Sequence, residues 1–92
     1  MYYTYVLYSP EFNKIYIGFS GDTEHRLLIH NDSRNTGWTK QYQPWEIIYS
    51  EEYPTKQEGL KREQQLKSSR GRAFVWELIA NVKRNDQLKE GG

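Results

Sequence analysis

Two short alternating runs, Tyr2 to Ser9 and Lys14 to Phe19, are separated by Pro10, Glu11, Phe12 and Asn13 alone, and this closeness constrains the fold more than any other feature of the chain. Period-two alternation rich in Tyr, Val and Ile reads as strand, and the intervening Pro and Asn read as a turn. With those residues as the loop, Ser9 pairs with Lys14, Leu7 with Tyr16 and Tyr5 with Gly18. One face of the hairpin then carries Val6, Tyr8, Ile15 and Ile17, apolar enough to bury against a helix. The other carries Tyr5 and Tyr16 as diagonal neighbours, roughly 7 Å apart at the backbone, with open space left opposite Tyr5 by Gly18. One face is expected to pack and the other to hold polar chemistry.

Beyond the hairpin, Gly21 permits a sharp turn and Asp22 is a suitable N-cap for a helix running to about His30. Arg26 and His30 stand at i and i+4, so they share a helical face and can address one ligand. His25 does not share that spacing and is left aside. Asn31 to Gln43 forms a long polar loop with Arg34, Gly37, Trp38 and Lys40, and loops of this length are often functional. Trp38 has two readings: a ring that stacks on a nucleobase, or a plug folded back into the core.

A third strand is expected from Trp45 to Ser50, with Pro44 at its start. Strict alternation puts Trp45, Ile47 and Tyr49 on one face and Ile48 on the other. Thr55 and Glu58 make a T-x-x-E capping box, which predicts a helix from Lys56 to about Ser68. Leu60, Glu63, Gln64 and Lys67 share a face of it, so a carboxylate points toward the side of a core leucine. Such a carboxylate needs a cationic partner. Lys67 at i+4 is one candidate, worth about 0.2–0.5 kcal/mol; a metal ion is the other. Ser68, Ser69 and Gly71 interrupt the pattern, and a last helix to about Asn81 carries the stripe Phe74, Val75, Leu78, Ile79 and Val82.

The pattern of strands and helices implies a single α+β domain over residues 1–82, a small three-stranded and mainly antiparallel sheet flanked by helices in the order β-β-α-β-α-α, with a polar tail at 83–92 that frays. The chain of 92 residues suits one core. It contains no cysteine, so disulfides and thiolate zinc sites are excluded. No apolar run reaches the length of a membrane span and no leader-like segment is seen, making a cytoplasmic location the default. The net charge of +1 conceals an asymmetry: residues 1–55 hold 4 Lys or Arg against 7 Asp or Glu, and residues 56–92 hold 9 against 5. Lys61, Arg62, Lys67, Arg70 and Arg72 form the densest basic run, read either as a solvated helix face or as a nucleic-acid contact beside Glu63.

The segment Tyr3-Thr4-Tyr5, the later Tyr16-Ile17-Gly18, then Arg26 and His30, resembles the GIY-YIG nuclease domain. The resemblance extends from Tyr2 to about Ile79 and takes in Leu60-Lys61-Arg62-Glu63, similar to the family's helix bearing a metal-binding glutamate. Tyr3 and Thr4 stand where Gly and Ile would, while the tyrosine that carries the chemistry is kept as Tyr5. Among family branches the chain is most similar to small stand-alone bacterial members related to the excision-repair incision subunit domain.

The resemblance implies a metal-dependent endonuclease hydrolysing DNA phosphodiesters, in repair or recombination, with structure rather than sequence preference. Tyr5, Tyr16, Arg26, His30 and Glu63 would be catalytic, and Glu63 would hold one Mg²⁺ or Mn²⁺. Arg26 offers a planar donor fork to the phosphate, Tyr5 is the candidate base or relay, and Tyr16 and His30 orient water or phosphate. A tyrosine, ordinarily near pKa 10, needs nearby positive charge to act as a base. Arg34, Trp38, Lys40, Lys61, Arg62, Lys67, Arg70 and Arg72 are the candidate nucleic-acid contacts, and Asn81 is the nearest counterpart of the family's late asparagine. The partner is nucleic acid, with DNA expected; a protein partner is compatible with the same surface and the oligomeric state is open. A non-catalytic module that binds nucleic acid or docks on a nuclease is the rival reading, and a tyrosine-rich protein interface is a third.

Overall fold

The structure, a computed structural model, describes residues 1–32, 34 and 37–91, without the side chains of 23–25 and 85–91. His25 and the tail side chains from 85 onward therefore lie outside the described residues, as do positions 33, 35 and 36 of the polar loop. The elements are β1 (Tyr2–Ser9), β2 (Lys14–Ser20), α1 (Thr23–Asn31), a 3₁₀ helix (Trp38–Tyr42), β3 (Glu46–Tyr53), α2 (Lys56–Lys67) and α3 (Ser69–Gly91). The three strands form one antiparallel sheet in the order β2-β1-β3. The α+β class and the β-β-α-β-α-α order follow, with one 3₁₀ helix added inside the polar loop.

The hairpin has the register set by its four-residue turn, with Ser9 opposite Lys14, Leu7 opposite Tyr16 and Tyr5 opposite Gly18. Asn13 closes the turn in a left-handed conformation at φ 53°, and the Tyr8 hydroxyl donates to its Oδ1 at 2.7 Å. Asn is one of the few residues that tolerates this backbone region without glycine's freedom. As the middle strand, β1 is covered on both faces, and its residues from Thr4 to Ser9 are all buried.

The two faces hold separate apolar clusters. Val6, Tyr8, Ile15 and Ile17 pack against Leu66 of α2 and Val75 and Ile79 of α3. On the opposite face Tyr5, Leu7 and Trp45 gather Tyr16, Leu27, Tyr42 and Ile47 around them. The second face is thus also packed, largely with aromatic rings. Strict alternation fails in β3, where the pairing with β1 shifts between Val6 and Leu7: Val6 faces Tyr49 while Leu7 faces Ile47. Ile48 is the extra residue of this irregularity. Tyr49 therefore joins Ile48 on the α2/α3 face, not Ile47 on the other, because an inserted residue inverts the side-chain alternation beyond it.

Helix α2 begins at the capping residue Thr55, whose Oγ1 accepts from the Glu58 N–H at 3.3 Å. Its inward residues are Gly59 and Leu66, whereas Leu60 is 37% exposed. Gly59 lets the helix approach closely: a Cβ there would stand 2.6 Å from Phe19 Cε2. The buried Thr4 hydroxyl donates to the Gly59 carbonyl at 2.7 Å, tying α2 to the middle strand one turn before Glu63. Ser68 both ends α2 and starts α3, its Oγ accepting from the Gly71 N–H at 3.2 Å. The helix α3 then continues past Asn81 to Gly91.

Candidate functional site

Tyr5 and Tyr16 sit on adjacent strands with ring centroids 6.5 Å apart, as the diagonal pairing requires. Tyr5 is 1% exposed, so its ring and hydroxyl lie inside the domain. Gly18 makes this possible. A Cβ at position 18 would lie 2.5 Å from both Cζ and Oη of Tyr5 and 2.9 Å from Cε1 of Tyr16. No side chain fits where the two phenols converge.

Helix α1 brings two more groups. The Asp22 carbonyl accepts from the Arg26 N–H at 3.2 Å, which places Asp22 at the helix start. One turn past Arg26, the His30 ring lies 4.5 Å from the Tyr16 ring. His30 Nδ1 is 3.1 Å from the hydroxyl of buried Thr39 in the 3₁₀ helix. The Gln43 side chain holds the end of α1, donating to the carbonyls of His30 at 2.7 Å and Asp32 at 2.8 Å. Asn31 locks the same end to Trp45, accepting from its N–H at 2.6 Å and donating to its carbonyl at 2.9 Å. Thr39, Gln43 and Asn31 hold α1 at the site although sequence reasoning singled out none of them; such contacts between distant segments leave no local spacing to read.

Electrostatics link the three elements. Burial first, then Tyr16 and the negative charge of Glu63, push the Tyr5 phenol up to about 12, while Arg26 pulls it down. At neutral pH Tyr5 keeps its proton. Burial and the Arg26 charge together lower the His30 pKa, which favours the neutral ring. Tyr16 from β2, Arg26 from α1 and Glu63 from α2 are thus near enough to Tyr5 to influence its proton.

Glu63 is largely covered, its side chain 18% exposed, and Lys67 Nζ lies 3.3 Å from its Oε1. Both partners anticipated from the sequence therefore remain relevant: the lysine pair is present, and the carboxylate is the site's candidate metal ligand. Among the described residues no three His, Cys, Asp or Glu side chains converge on a point. A lone carboxylate fits a hydrated Mg²⁺ or Mn²⁺ whose remaining ligands are waters and substrate phosphate oxygens. It does not fit a cage built entirely from protein.

The candidate nucleic-acid contacts do not gather in one place. Lys67 and Arg72 line a groove of about 250 Å³ with Ile15, Tyr16, Ile17 and Trp38, across the edge of β2. Trp38 is neither free nor buried; it is 47% exposed and leans on Tyr42 and Trp45 at 4.8 and 5.9 Å. Lys40 and Lys61 are exposed. Arg34 is clamped to Asp32 by bonds of 2.8 and 3.1 Å, and this pairing holds the Asp32 carboxyl down at about 2. Arg62 is turned to β3, with Nε 2.8 Å from Glu51 Oε1 and its guanidinium over Phe74. The hydroxyls of Tyr49 and Tyr53 donate to the same Glu51 carboxylate. Arg70 lines a second groove with Arg62, Leu66 and Phe74 at the α2–α3 corner. Asn81 is exposed beside Val82 and Lys83, which border a groove with Tyr8 and Pro10 at the turn end of the hairpin.

Fold and site together define a three-stranded α+β domain with a tyrosine-rich polar centre shared by a hairpin and two helices. The GIY-YIG catalytic domain model matches residues 1–74, and the chain belongs to that family of nucleases. A UPF0213 protein of Staphylococcus epidermidis is 39% identical over 54 residues, 59% of this chain and 66% of its own length, so the match spans just under two thirds of that relative. A UPF0213 protein of Staphylococcus saprophyticus is 33% identical over 67 residues, 73% of this chain and 80% of the relative. The solution NMR structure of a UPF0213 protein from Bacillus halodurans aligns over 85% of each chain with a TM-score of 0.49 and 23% identity. Among the described residues, no helix is long and apolar enough to cross a membrane.

Proposed function

We propose that the chain is a metal-dependent endonuclease that hydrolyses DNA phosphodiesters, with a preference for structure over sequence and a role in repair or recombination. The observation that carries this reading is the packing of Tyr5, Tyr16 and His30 around Gly18, with ring centroids 6.5 and 4.5 Å apart and no room for a side chain at position 18. A divalent ion held by Glu63 would supply charge compensation at the phosphate and a water of lowered pKa. The remaining work falls to the chain's own side chains. Arg26, exposed at the rim, presents its fork to the scissile phosphate and offsets charge on the phosphoryl oxygens. Tyr5 holds a proton at neutral pH and works as a relay or as a base toward the attacking oxygen. Arg26 favours its phenolate, and neutralising Glu63 removes one of the causes that oppose it. Tyr16 orients the water or phosphate. Neutral His30, its Nδ1 engaged with Thr39, presents its other ring nitrogen for a proton.

Backbone contacts dominate binding in such a small domain, so affinity falls steeply with salt. The test is cleavage of labelled duplex, flap, branched and single-stranded DNA with Mg²⁺, Mn²⁺ or EDTA, running Arg26→Ala and Glu63→Gln beside the parent. Metal-dependent cutting lost in both variants is expected. Undiminished cutting by Glu63→Gln removes that residue from the site. Binding without cutting, weakened by Arg26→Ala, makes the domain a binding module on a nuclease scaffold.

A further inference from the structure

A line of aromatic rings runs from the hairpin turn to the open edge of β2. Phe12 meets Tyr42 edge-on at 5.6 Å, and Tyr42 meets Trp38 at 4.8 Å. Trp45 lies beneath, 5.9 Å from Trp38 and 6.4 Å from Tyr16. The members differ in depth. Trp45 is 3% exposed and its indole N–H donates to the Thr39 carbonyl at 2.7 Å, so it anchors the 3₁₀ helix. Phe12 and Trp38 are 43% and 47% exposed, more open than rings serving only as packing. Trp38 is also a wall of the groove of about 250 Å³ that crosses β2, where Tyr16 leads on to Tyr5 and where Lys67 and Arg72 form the other side.

Cations accompany the rings. Lys14 Nζ stands 5.5 Å over the Tyr42 ring, and Lys67 and Arg72 line the groove. Of the nearby acids, Glu63 pairs with Lys67 and offsets part of its charge, leaving Arg72 and Lys14 as the main positive charge beside the rings, and Glu11 lies in the exposed turn. Half-exposed rings beside cations match an unpaired strand, whose bases expose both π-faces and whose phosphates remain charged. A duplex hides its base faces in the stack and offers mainly phosphates and groove edges.

We propose that this strip and groove form a subsite for unpaired nucleotides, with bases stacked on Trp38 and Phe12 and phosphates held by Lys67 and Arg72, leading a single strand to the Tyr5 centre. The proposal rests on the nuclease reading of that centre for its purpose, but its chemistry is tested separately. Trp38 is then a specificity-determining residue: it selects substrates with an unpaired segment next to the cut.

The experiment is fluorescence anisotropy in EDTA, where no cutting occurs, with labelled single-stranded DNA, single-stranded RNA and a blunt DNA duplex of the same sequence. Parent, Trp38→Ala, Trp38→Phe and Phe12→Ala proteins are compared, each checked for folding by circular dichroism and thermal melting. Tighter binding of single strand than duplex is expected, with a loss of about tenfold or more in Trp38→Ala, partial recovery in Trp38→Phe and an unchanged duplex affinity. If Trp38→Ala fails to fold, Phe12→Ala and Trp38→Phe carry the comparison, since Phe12 lies in an exposed turn. Comparable single-stranded DNA and RNA binding supports recognition of base faces and phosphates; preference for one assigns the sugar a part in the same subsite. Unchanged single-strand affinity in the Trp38 and Phe12 variants, or equal loss for duplex, overturns the proposal. So does absence of oligonucleotide binding with a self-association that Trp38→Ala abolishes, which would make the strip a protein interface. Cutting of single-stranded and flap substrates that ignores Trp38 would leave the nuclease standing and remove the subsite. Trp38-dependent strand binding without any cutting would do the reverse.

Discussion

The two faces of the sheet are built from alternate residues of the same two strands, yet they solve different problems. Against α2 and α3, Val6, Ile15 and Ile17 meet Leu66, Val75 and Ile79 in a mainly aliphatic core, joined by the Tyr8 ring. Against α1 and the 3₁₀ helix, the packing residues include Tyr5, Tyr16, Tyr42 and Trp45, rings that fill space and carry polar ends into one region. The proposed nuclease reading places no reacting group on the first face. On the second it assigns catalysis to rings that also fill the core, so truncation to Ala would confuse a lost core with a lost reaction.

Removing single atoms separates them, and the largest effect expected is on catalysis. Tyr5→Phe keeps the ring and should lower cleavage by about 10²–10⁴-fold, while shifting stability by less than about 1 kcal/mol. A rate matching the parent's would return Tyr5 to a purely structural role. On the aliphatic face the expected order is reversed. Leu66→Ala, at a fully buried position, should cost about 2–5 kcal/mol in chemical denaturation, with the turnover of the remaining folded protein preserved. A specific loss of turnover in that variant would show that the two faces are not separable.

Gly18→Ala tests the close approach itself. The new Cβ collides with Cζ and Oη of Tyr5, so a cost of about 1–3 kcal/mol is expected together with loss of cleavage, read by thermal melting and the nuclease assay. Thr4→Val removes the bond from the Thr4 hydroxyl to the Gly59 carbonyl, which should cost about 1 kcal/mol. Because that bond fixes α2 one turn before Glu63, its cleavage should fall more than its stability does.

The last test lies in the pH dependence. Tyr5 has a folded pKa raised to about 12, so its contribution is complete below the unfolded value of about 10 and is lost as pH rises from there through 12. Tyr49 and Tyr53 are raised as well, and their loss overlaps in the same range. Stability measured from neutral to alkaline pH should therefore decline in the parent and decline less in Tyr5→Phe. Identical curves would show that Tyr5 is not buried as a protonated phenol. His30 has the opposite sign: its folded pKa is lowered, so its contribution is present above about 6.5 and is lost as pH falls through the folded value.

Local rules were sufficient for the hairpin. The turn at Pro10–Asn13 set the register to the residue, placing Gly18 opposite Tyr5 and Tyr16 diagonal to it, because a short loop leaves little choice of pairing. The Thr55 cap, the i,i+4 relation of Arg26 and His30 and the Glu63–Lys67 pair were equally local, each depending on spacing within one element. Tertiary structure decided what spacing cannot express. It inverted Tyr49 through the irregularity in β3, turned Leu60 outward while Gly59 and Leu66 turned inward, and committed Arg62 to Glu51, away from the candidate site. Trp38 came to lie half open above Trp45 because the space below it was already filled by a ring from another segment. The sequence by itself determined which chemical groups the hairpin and helices present; packing between segments distant along the chain decided which of them meet, since burial, charge pairing and close approach depend on neighbours that no local pattern names.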